Sequence, residues 1–419
     1  MIYLVCLIYM ILPTEALSYV DRMIYGEWAS KPGDKLTEFL NLLAIASSIL
    51  LFWWGTRQPR NTRINRALPL AAAGLLLTSV LWSVAPTTTI TRSIAYTFLV
   101  VGAIGIVGIF GPNQVMRMTA LIAGFSAAVS LVLPDGTSPF TGDFRGLFPG
   151  KNQLGQAMVI GVLGGLHGIR VRGWRGYMDI GVVVLCSGVA FLSKSATSLL
   201  TIFAFFIFHV IGTFYMKGGI IRIVGICMAI FVTVILFLLM TNIDFLYNLL
   251  DKDPTLTGRT ELWPYVMEYI YQRPLLGWGF AAFWMPWNPA AEQIMSAVGF
   301  PLNEAHNGLL QLLLDVGVDG TAFFLFLWMR SVMMAVKCIN GVAPAIGVTS
   351  LAFLIGILLI GVTEQVLTTA DGLTVQFFLL GFMCEKELRA ARQARTAVGL
   401  RSEAFSLGQF ADPRERDAV

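Results

Sequence analysis

The sequence predicts an all-α, polytopic membrane protein with about 12 transmembrane helices. The chain has 419 residues, of which 56% are hydrophobic and only 13% charged, and its mean hydropathy is +0.72. Soluble domains carry about 25% charged residues. Apolar runs of about 20 residues recur along the chain, and each can cross a hydrocarbon layer about 30 Å thick. Because backbone groups in lipid must be bonded internally, these runs form helices.

The apolar runs define the elements in order. The first run is the least regular because it contains Pro13 and Glu15, and it lacks the basic start and small-residue cleavage site of a secretory signal. Each later run is bounded by a charged or glycine-rich connection. The expected spans lie near 1–18, 38–55, 67–84, 93–110, 118–133, 154–169, 177–192, 198–215, 223–241, 306–329, 343–362 and 373–385.

These spans make residues 1–385 one transmembrane domain with two substantial loops, at about 134–153 and 242–305. Long ordered loops are often functional, since most connections in helical bundles are short. Residues 386–419 form a polar tail, predicted as a short helix over 386–395 followed by disorder.

Lysine and arginine are unevenly divided between the two faces of the predicted bundle. Nineteen lie in one set of loops and the C-terminal tail, and ten lie on the opposite face. Cytoplasmic loops carry the excess, so both termini are expected in the cytoplasm and both large loops outside. Arg92, Arg145, Lys151 and Arg259 are among the ten that run against this trend, which makes them candidates for a function.

A glycine-rich loop over residues 142–153 carries Arg145 and Lys151 and leads into the helix expected near Leu154. Glycines let the backbone approach a ligand closely. A helix N-terminus offers unpaired N–H groups to an anion, and the arginine fork suits phosphate oxygens. The loop therefore predicts a phosphate site. Contact with lipid headgroups or a surface ion pair is the alternative explanation for these cations.

The larger loop carries Arg259 and a series of aromatic residues. Apolar residues repeat at helical spacing after Arg259, which predicts an amphipathic helix lying in the membrane interface. Trp278, Trp284 and Trp287 follow. Such tryptophans fit a platform for sugar rings, and they equally fit an aromatic belt at the lipid headgroups.

His306 lies where a membrane helix is expected to begin. Asn303 is a candidate N-cap, which would place His306 in the first helical turn. The helix dipole there disfavours imidazolium, and a neutral imidazole is what a general base requires. The alternative is a polar residue that only satisfies loop carbonyls. His167 and His209 lie near the opposite helix ends and are expected to serve packing.

The sequence favours neither a metal nor a disulfide. The five cysteines form no Cys-x-x-Cys pair and fall within or near the predicted spans. Asp251 and Asp253 form an Asp-x-Asp pattern that can hold a divalent cation with a nucleotide diphosphate, but this pattern is common by chance and stands in a turn before Pro254. We therefore expect no metal and no other cofactor, and the net charge of +4 gives no indication of nucleic-acid binding.

Four segments resemble the O-antigen ligase and Wzy-type polymerase family. They are FRGLFPGKNQLGQ at 144–156, GRTELW at 258–263, RPLLGWGF at 273–280 and HNGLLQ at 306–311, and they stand in the family's order. The first of them, with LWSVAP at 81–86, is most similar to the ExoQ-type exopolysaccharide polymerases within the family. The resemblance covers about residues 65–385 and depends on the order of several motifs.

The resemblance implies a GT-C-type membrane glycosyltransferase that takes a glycan joined through diphosphate to a polyprenyl lipid such as undecaprenol. It places the family's essential histidine on His306 and its diphosphate-contacting arginines on Arg145 and Arg259, with Arg92 as a third. Family members act without a metal ion. The remaining expected substrate-binding residues are Lys151, Asn152, Trp278, Glu304 and Asn307.

The resemblance also implies a bacterial inner (cytoplasmic) membrane protein with its active site on the periplasmic face, and a chain-length regulator and a flippase as partners. A lysine at 151 is more common in the exopolysaccharide branch than in ligases, which favours a polymerase. His306 would deprotonate an acceptor sugar hydroxyl, and the anomeric centre would invert.

Two other functions stay open. An O-antigen ligase acting on lipid A core, or a protein O-glycosyltransferase, differs from a polymerase only in its acceptor. A flippase or transporter for the lipid-linked glycan would need charged groups within the membrane. Asp315 and Asp319, near a Gly-x-x-Gly break, are the main examples here, and a structural kink explains them as well.

Overall fold

A computed structural model describes residues 2–11, 35–58, 64–133, 136–139, 142–220, 222–225, 227–228, 231, 235 and 259–409. Helices form most of this part of the chain. They are α1 (Ile2–Ile11), α2 (Lys35–Thr56), α3 (Ala67–Thr78), α4 (Pro86–Ile109), α5 (Pro112–Val132), α6 (Lys151–Arg172), α7 (Tyr177–Ser193), α8 (Ala196–Lys217), α9 (Arg259–Gln272), α10 (Pro289–Val298), α11 (Gly308–Ile339), α12 (Pro344–Gly361) and α13 (Gly372–Gln409). Short 3-10 helices follow α3 and α6, at Ser79–Trp82 and Gly173–Arg175.

By length and composition, seven of the described helices can cross a membrane: α2 from Phe39, α4, α5, α6, α8, α11 and α12. Shorter apolar helices are α1, α3 with its 3-10 extension, and α7. The predicted class of polytopic helical membrane protein is confirmed. The predicted span 223–241 lies largely outside the described residues, and of the about twelve predicted spans the described helices give seven candidates.

Glycines allow close approach between α2 and α4. A Cβ atom added to Gly108 would stand 2.7 Å from the carbonyl oxygen of Gly55, and one added to Gly105 would overlap the backbone of Leu51. In lipid, helices associate through tight packing of small residues rather than through the hydrophobic effect. These two glycines therefore set the separation of α2 and α4.

Helix α11 is broken at Gly317, whose φ of 67° and ψ of −168° are not helical. The break frees two carbonyls and two N–H groups, and residues 274–279 satisfy all four. Trp278 N donates to Leu314 O (2.8 Å), Gly279 N to Asp315 O (3.0 Å), Val318 N to Pro274 O (2.8 Å) and Asp319 N to Leu275 O (3.3 Å). The kink expected near Asp315 is confirmed, and the carboxylate of Asp315 accepts from Gln311 Nε2 at 3.0 Å.

The same segment is also joined to the turn before α4. Trp82 Nε1 donates to Leu276 O at 2.8 Å, and Val84 N donates to Trp278 O at 3.1 Å. Phe280 N donates to Ser79 Oγ at 3.0 Å. Two segments that carried the family resemblance, 81–86 and 273–280, therefore meet in space and hold the kinked helix.

Helices α9 and α10 pack into a small core of their own above α11. Leu262, Val266 and Ile270 recur every four residues and are buried against Ile294 of α10 and Leu314 of α11. The predicted amphipathic helix is present, with Pro264 inside it. Its apolar face is covered by protein rather than left for lipid, since the loop folds back on α11.

Charged residues join α13 to α11 and to the residues before α3. Glu385 pairs with Arg330 at 2.7 Å and with Arg389 at 2.6 Å, and it accepts from the backbone N of Asn65 at 2.7 Å. The tail prediction was partly wrong: α13 continues as one helix from Gly372 to Gln409, well past residue 395. The pairing of Arg389 with Glu385 one turn earlier supports that continuation.

Candidate active site

Three distant stretches of chain meet at one end of the bundle: the start of α6, residues 304–307, and the residues after α12. Asn152 Nδ2 donates to Glu364 Oε1 at 2.7 Å. Asn307 Nδ2 donates to Val362 O at 3.3 Å. Ligand atoms of Glu304, His306 and Glu364 all lie within 4.8 Å of one another. The glycine-rich loop and the His306 segment are thus neighbours, although 150 residues of sequence lie between them.

His306 sits outside the helix, which corrects the predicted capping. Helix α11 begins at Gly308, and its N-cap is Asn307, whose Oδ1 accepts from Leu309 N (3.0 Å) and Leu310 N (3.1 Å). Asn303 is therefore not the cap. His306 precedes the cap with φ at 49°, in the left-handed region that side chains rarely adopt. Such strain persists only where the surroundings enforce it.

The hydrogen bonds of Ala305 enforce the left-handed backbone conformation of His306. Ala305 N donates to Gln311 Oε1 at 2.9 Å, and Ala305 O accepts from Trp263 Nε1 at 3.2 Å. Gln311 is fixed in turn by Trp284 Nε1 (3.1 Å) and Asp315. The backbone N–H and C=O of Ala305 are thus bonded to side chains of α9 and α11. These bonds fix the backbone position from which the His306 side chain extends.

A buried carboxylate lies directly beside the imidazole. Glu304 Oε1 is 3.0 Å from His306 Nδ1, and the side chains are 10% and 23% exposed. The distance is that of an ion pair, while the direction of the ring nitrogen does not meet the angles of a hydrogen bond. The contact places a carboxylate oxygen next to a ring nitrogen of His306 without a hydrogen bond between them. Glu304, His306 and Glu364 together also have the spacing of a cation site.

The loop before α6 is ordered and holds Arg145 in a buried position. Arg145 N and Gly146 N both donate to Gly136 O, at 2.8 and 2.9 Å, and Arg145 is only 6% exposed. Gly146 has φ at 53°, and a Cβ atom there would overlap Ser130 Oγ, so this position requires glycine. Lys151 pairs with Asp143 at 3.0 Å. The N-cap of α6 is Gly150, without a side-chain cap.

Arg259 is the first residue of α9, and its side chain lies outside the described part of the structure. Trp263 follows it by four residues, about one helical turn, and bonds Ala305 next to His306. The start of α9 therefore lies near the His306 segment. Asp251 and Asp253 lie outside the described residues.

Arg92 and the tryptophans of the larger loop are the predicted residues that remain, and two of these tryptophans make structural hydrogen bonds. Arg92 is exposed on α4. Trp278 donates from Nε1 to Tyr269 O at 2.9 Å, packs edge-on to Phe283, and lies under the guanidinium of Arg273. Trp284 is buried, and Trp287 is 66% exposed. Among the three tryptophans, Trp287 is the most exposed.

Glu364 and Gln311 were not predicted from the sequence. Glu364 is 5% exposed and Gln311 2% exposed. The signal for Glu364 was present: an acidic residue three positions after an apolar span is rare without a partner or a function. Gln311 is the last residue of the HNGLLQ motif, but nothing in the motif indicated that its side chain would bond the backbone of Ala305.

Comparisons with known proteins agree with the motifs. Residues 181–325 match the family model described as O-antigen ligase. The "Exopolysaccharide production protein ExoQ" of Rhizobium meliloti (strain 1021) is 28% identical over an alignment of 279 residues, and the match covers 59% of this chain and 62% of that protein. The chain thus matches less than two thirds of that relative's length. On these two matches, this membrane protein is similar to the O-antigen ligase and Wzy-type polymerase family, as its motifs indicated.

Proposed function

We propose that the protein is a GT-C-type membrane glycosyltransferase that polymerises polyprenyl-diphosphate-linked oligosaccharide repeats into a surface polysaccharide. The observation that carries the proposal is the junction of His306 with a buried carboxylate, at the bundle end where the Arg145 loop enters α6. An imidazole and an anion-binding loop in one place are the two parts that transfer from a lipid diphosphate requires.

The donor diphosphate would bind to Arg145, Arg259 and the open N-terminus of α6. Arginine binds phosphate oxygens through two parallel N–H groups, and the uncapped first turn of α6 adds backbone donors and a positive potential. These groups would stabilise the negative charge that develops as the diphosphate leaves. Lys151, already paired with Asp143, would contribute by exchanging that partner for phosphate.

His306 would act as the general base on an acceptor sugar hydroxyl. The hydroxyl oxygen attacks the anomeric carbon of the donor, the bond from that carbon to the diphosphate breaks, and His306 takes the hydroxyl proton. A single displacement of this kind inverts the anomeric centre. The proposed reaction uses no metal ion, although Glu304, His306 and Glu364 could hold one by their spacing.

Polymerisation is favoured over ligation by the relative's printed name, which refers to exopolysaccharide production. An O-antigen ligase or a protein O-glycosyltransferase would use the same donor chemistry and would give a single transfer. A flippase would move the lipid-linked glycan without forming a bond. We further propose a periplasmic site in the bacterial inner membrane, cytoplasmic termini, and a chain-length regulator and flippase as partners.

The experiment is chain growth by the purified protein in nanodiscs, supplied with a lipid diphosphate-linked repeat. Wild-type protein should give a ladder of products. His306→Ala, Arg145→Ala and Arg259→Ala should each lower the rate by about 100-fold or more, the scale of a lost general base or charge stabiliser. His209→Ala, at the far end of α8, is the matched control and should keep full activity. Full chain growth by His306→Ala would end the proposal.

A further inference from the structure

His306 lies beside two buried carboxylates that the reaction described above leaves without a role. As whole residues, Glu304 is 8% exposed and Glu364 5% exposed. An imidazole nitrogen of His306 and one carboxylate oxygen of each glutamate all lie within 4.8 Å of one another. Buried carboxylates are retained where they are paired or where they act. Their position beside His306, the proposed base, therefore needs an explanation.

The charge on Glu304 separates the two substrates. A diphosphate carries negative charge, and like charges at short range in a water-poor site repel strongly. The edge of the imidazole that meets Glu304 therefore cannot be the diphosphate-binding edge. The donor phosphates belong on the Arg145 and α6 side, and the imidazole nitrogen that points away from Glu304 is left for an uncharged hydroxyl.

We propose that Glu304 is the positioning residue of the base: it holds the proton of His306 on Nδ1, so that Nε2 is the nitrogen that accepts the proton of the acceptor hydroxyl. An ionised carboxylate only accepts hydrogen bonds, so a bond between it and Nδ1, for which the imidazole must turn from the orientation seen here, needs the proton on Nδ1. After proton transfer both nitrogens carry hydrogen, and the carboxylate then stabilises the imidazolium. This inference rests on the proposed function, in which His306 is the base.

Glu364 has a related role that connects the base to the donor loop. Its Oε1 accepts from Asn152 Nδ2 at 2.7 Å, and Asn152 is the second residue of α6, directly after the loop that holds Arg145. The bond fixes the distance between the anion-binding helix start and the imidazole. A base placed within hydrogen-bond reach of the attacking oxygen requires such fixing, because small displacements of reacting groups slow the reaction greatly.

The test compares Glu304→Gln, Glu304→Asp and Glu364→Gln with Glu292→Gln, a control on the exposed face of α10. Glu304→Gln should lower kcat by about 10- to 100-fold while the KM for the lipid-linked repeat changes less than about twofold. Glu304→Asp should recover part of that loss, because it keeps the charge. Glu364→Gln keeps an acceptor for Asn152 and should leave kcat within about twofold of wild type, because the role argued for Glu364 is that bond. The unfolding midpoints should match wild type.

A double variant distinguishes an effect through His306 from an independent one. In a His306→Ala background, Glu304→Gln should lower the residual rate no further, because residues that act as a unit are not additive. Full kcat in Glu304→Gln, an unchanged kcat with a raised KM, or a multiplicative loss in the double variant would each overturn the positioning role. Chain growth by His306→Ala alone would instead overturn the proposed function.

Discussion

Replacing Gly317 by alanine tests whether the break in α11 is required by the fold. An alanine at φ 67° and ψ −168° occupies a region that costs about 1–3 kcal/mol. Its Cβ atom would also overlap Leu275 O, so residues 274–279 would have to move. Those residues make four hydrogen bonds to the two halves of α11, each of which contributes about 1 kcal/mol. If all four bonds are lost, the expected loss is about 5–7 kcal/mol, a large part of the about 5–15 kcal/mol that holds a typical protein folded.

The measurement is thermal unfolding of purified protein in detergent, followed by tryptophan fluorescence. A loss of that size should lower the midpoint by on the order of 10 °C. Gly188→Ala on α7 is the matched control, because nothing lies within 4 Å of the Cβ atom added there and alanine is the better helix former. If Gly317→Ala unfolds at the wild-type temperature, the four bonds do not stabilise the kink as argued.

Three further predictions concern the cap, the helix packing and the metal. Asn307→Ala should lower stability by about 1 kcal/mol, because it removes the cap of α11, while Asn303→Ala should leave the unfolding midpoint unchanged; the reverse result would restore Asn303 as the cap. Gly105→Ala should destabilise by about 1–3 kcal/mol, because α2 and α4 must separate, whereas Gly181→Ala, which meets nothing within 4 Å, should be neutral in the same thermal assay. Chain growth should be unaffected by a divalent-metal chelator, and a loss restored by added cation would show that Glu304, His306 and Glu364 bind one.

The helices could be predicted from the sequence because a membrane span needs little more than length and apolarity. The start of α11 shows where this reasoning fails. Asn303 and Asn307 are equally good caps by residue type, and the choice is made by Trp263 and Gln311, which hold the preceding backbone in a non-helical path. That information comes from tertiary contacts and is absent from a local pattern.

The candidate site, like the helices, could be predicted from the sequence only in part. His306 and Arg145 were identified because a titratable or cationic residue is unusual at a membrane helix end. Glu364 escaped notice because its partner, Asn152, is 212 residues away. Trp278 and Trp284 were considered for sugar binding from their residue type, but their indole N–H groups are bonded to Tyr269 and Gln311. Residue type does not show whether a polar group already has a partner.

Several hydrogen bonds join the N-terminal part of the bundle to α13 and to the segment before it. These bonds bear on how the protein is made. Asn65 N bonds Glu385, Tyr96 Oη donates to Leu367 O, and Lys386 Nζ donates to Phe110 O, across separations of 320, 271 and 276 residues. During synthesis the N-terminal helices enter the bilayer long before these partners exist. Contacts this distant in sequence form late. The early helices must therefore wait in the membrane, incompletely packed, until α13 has been inserted.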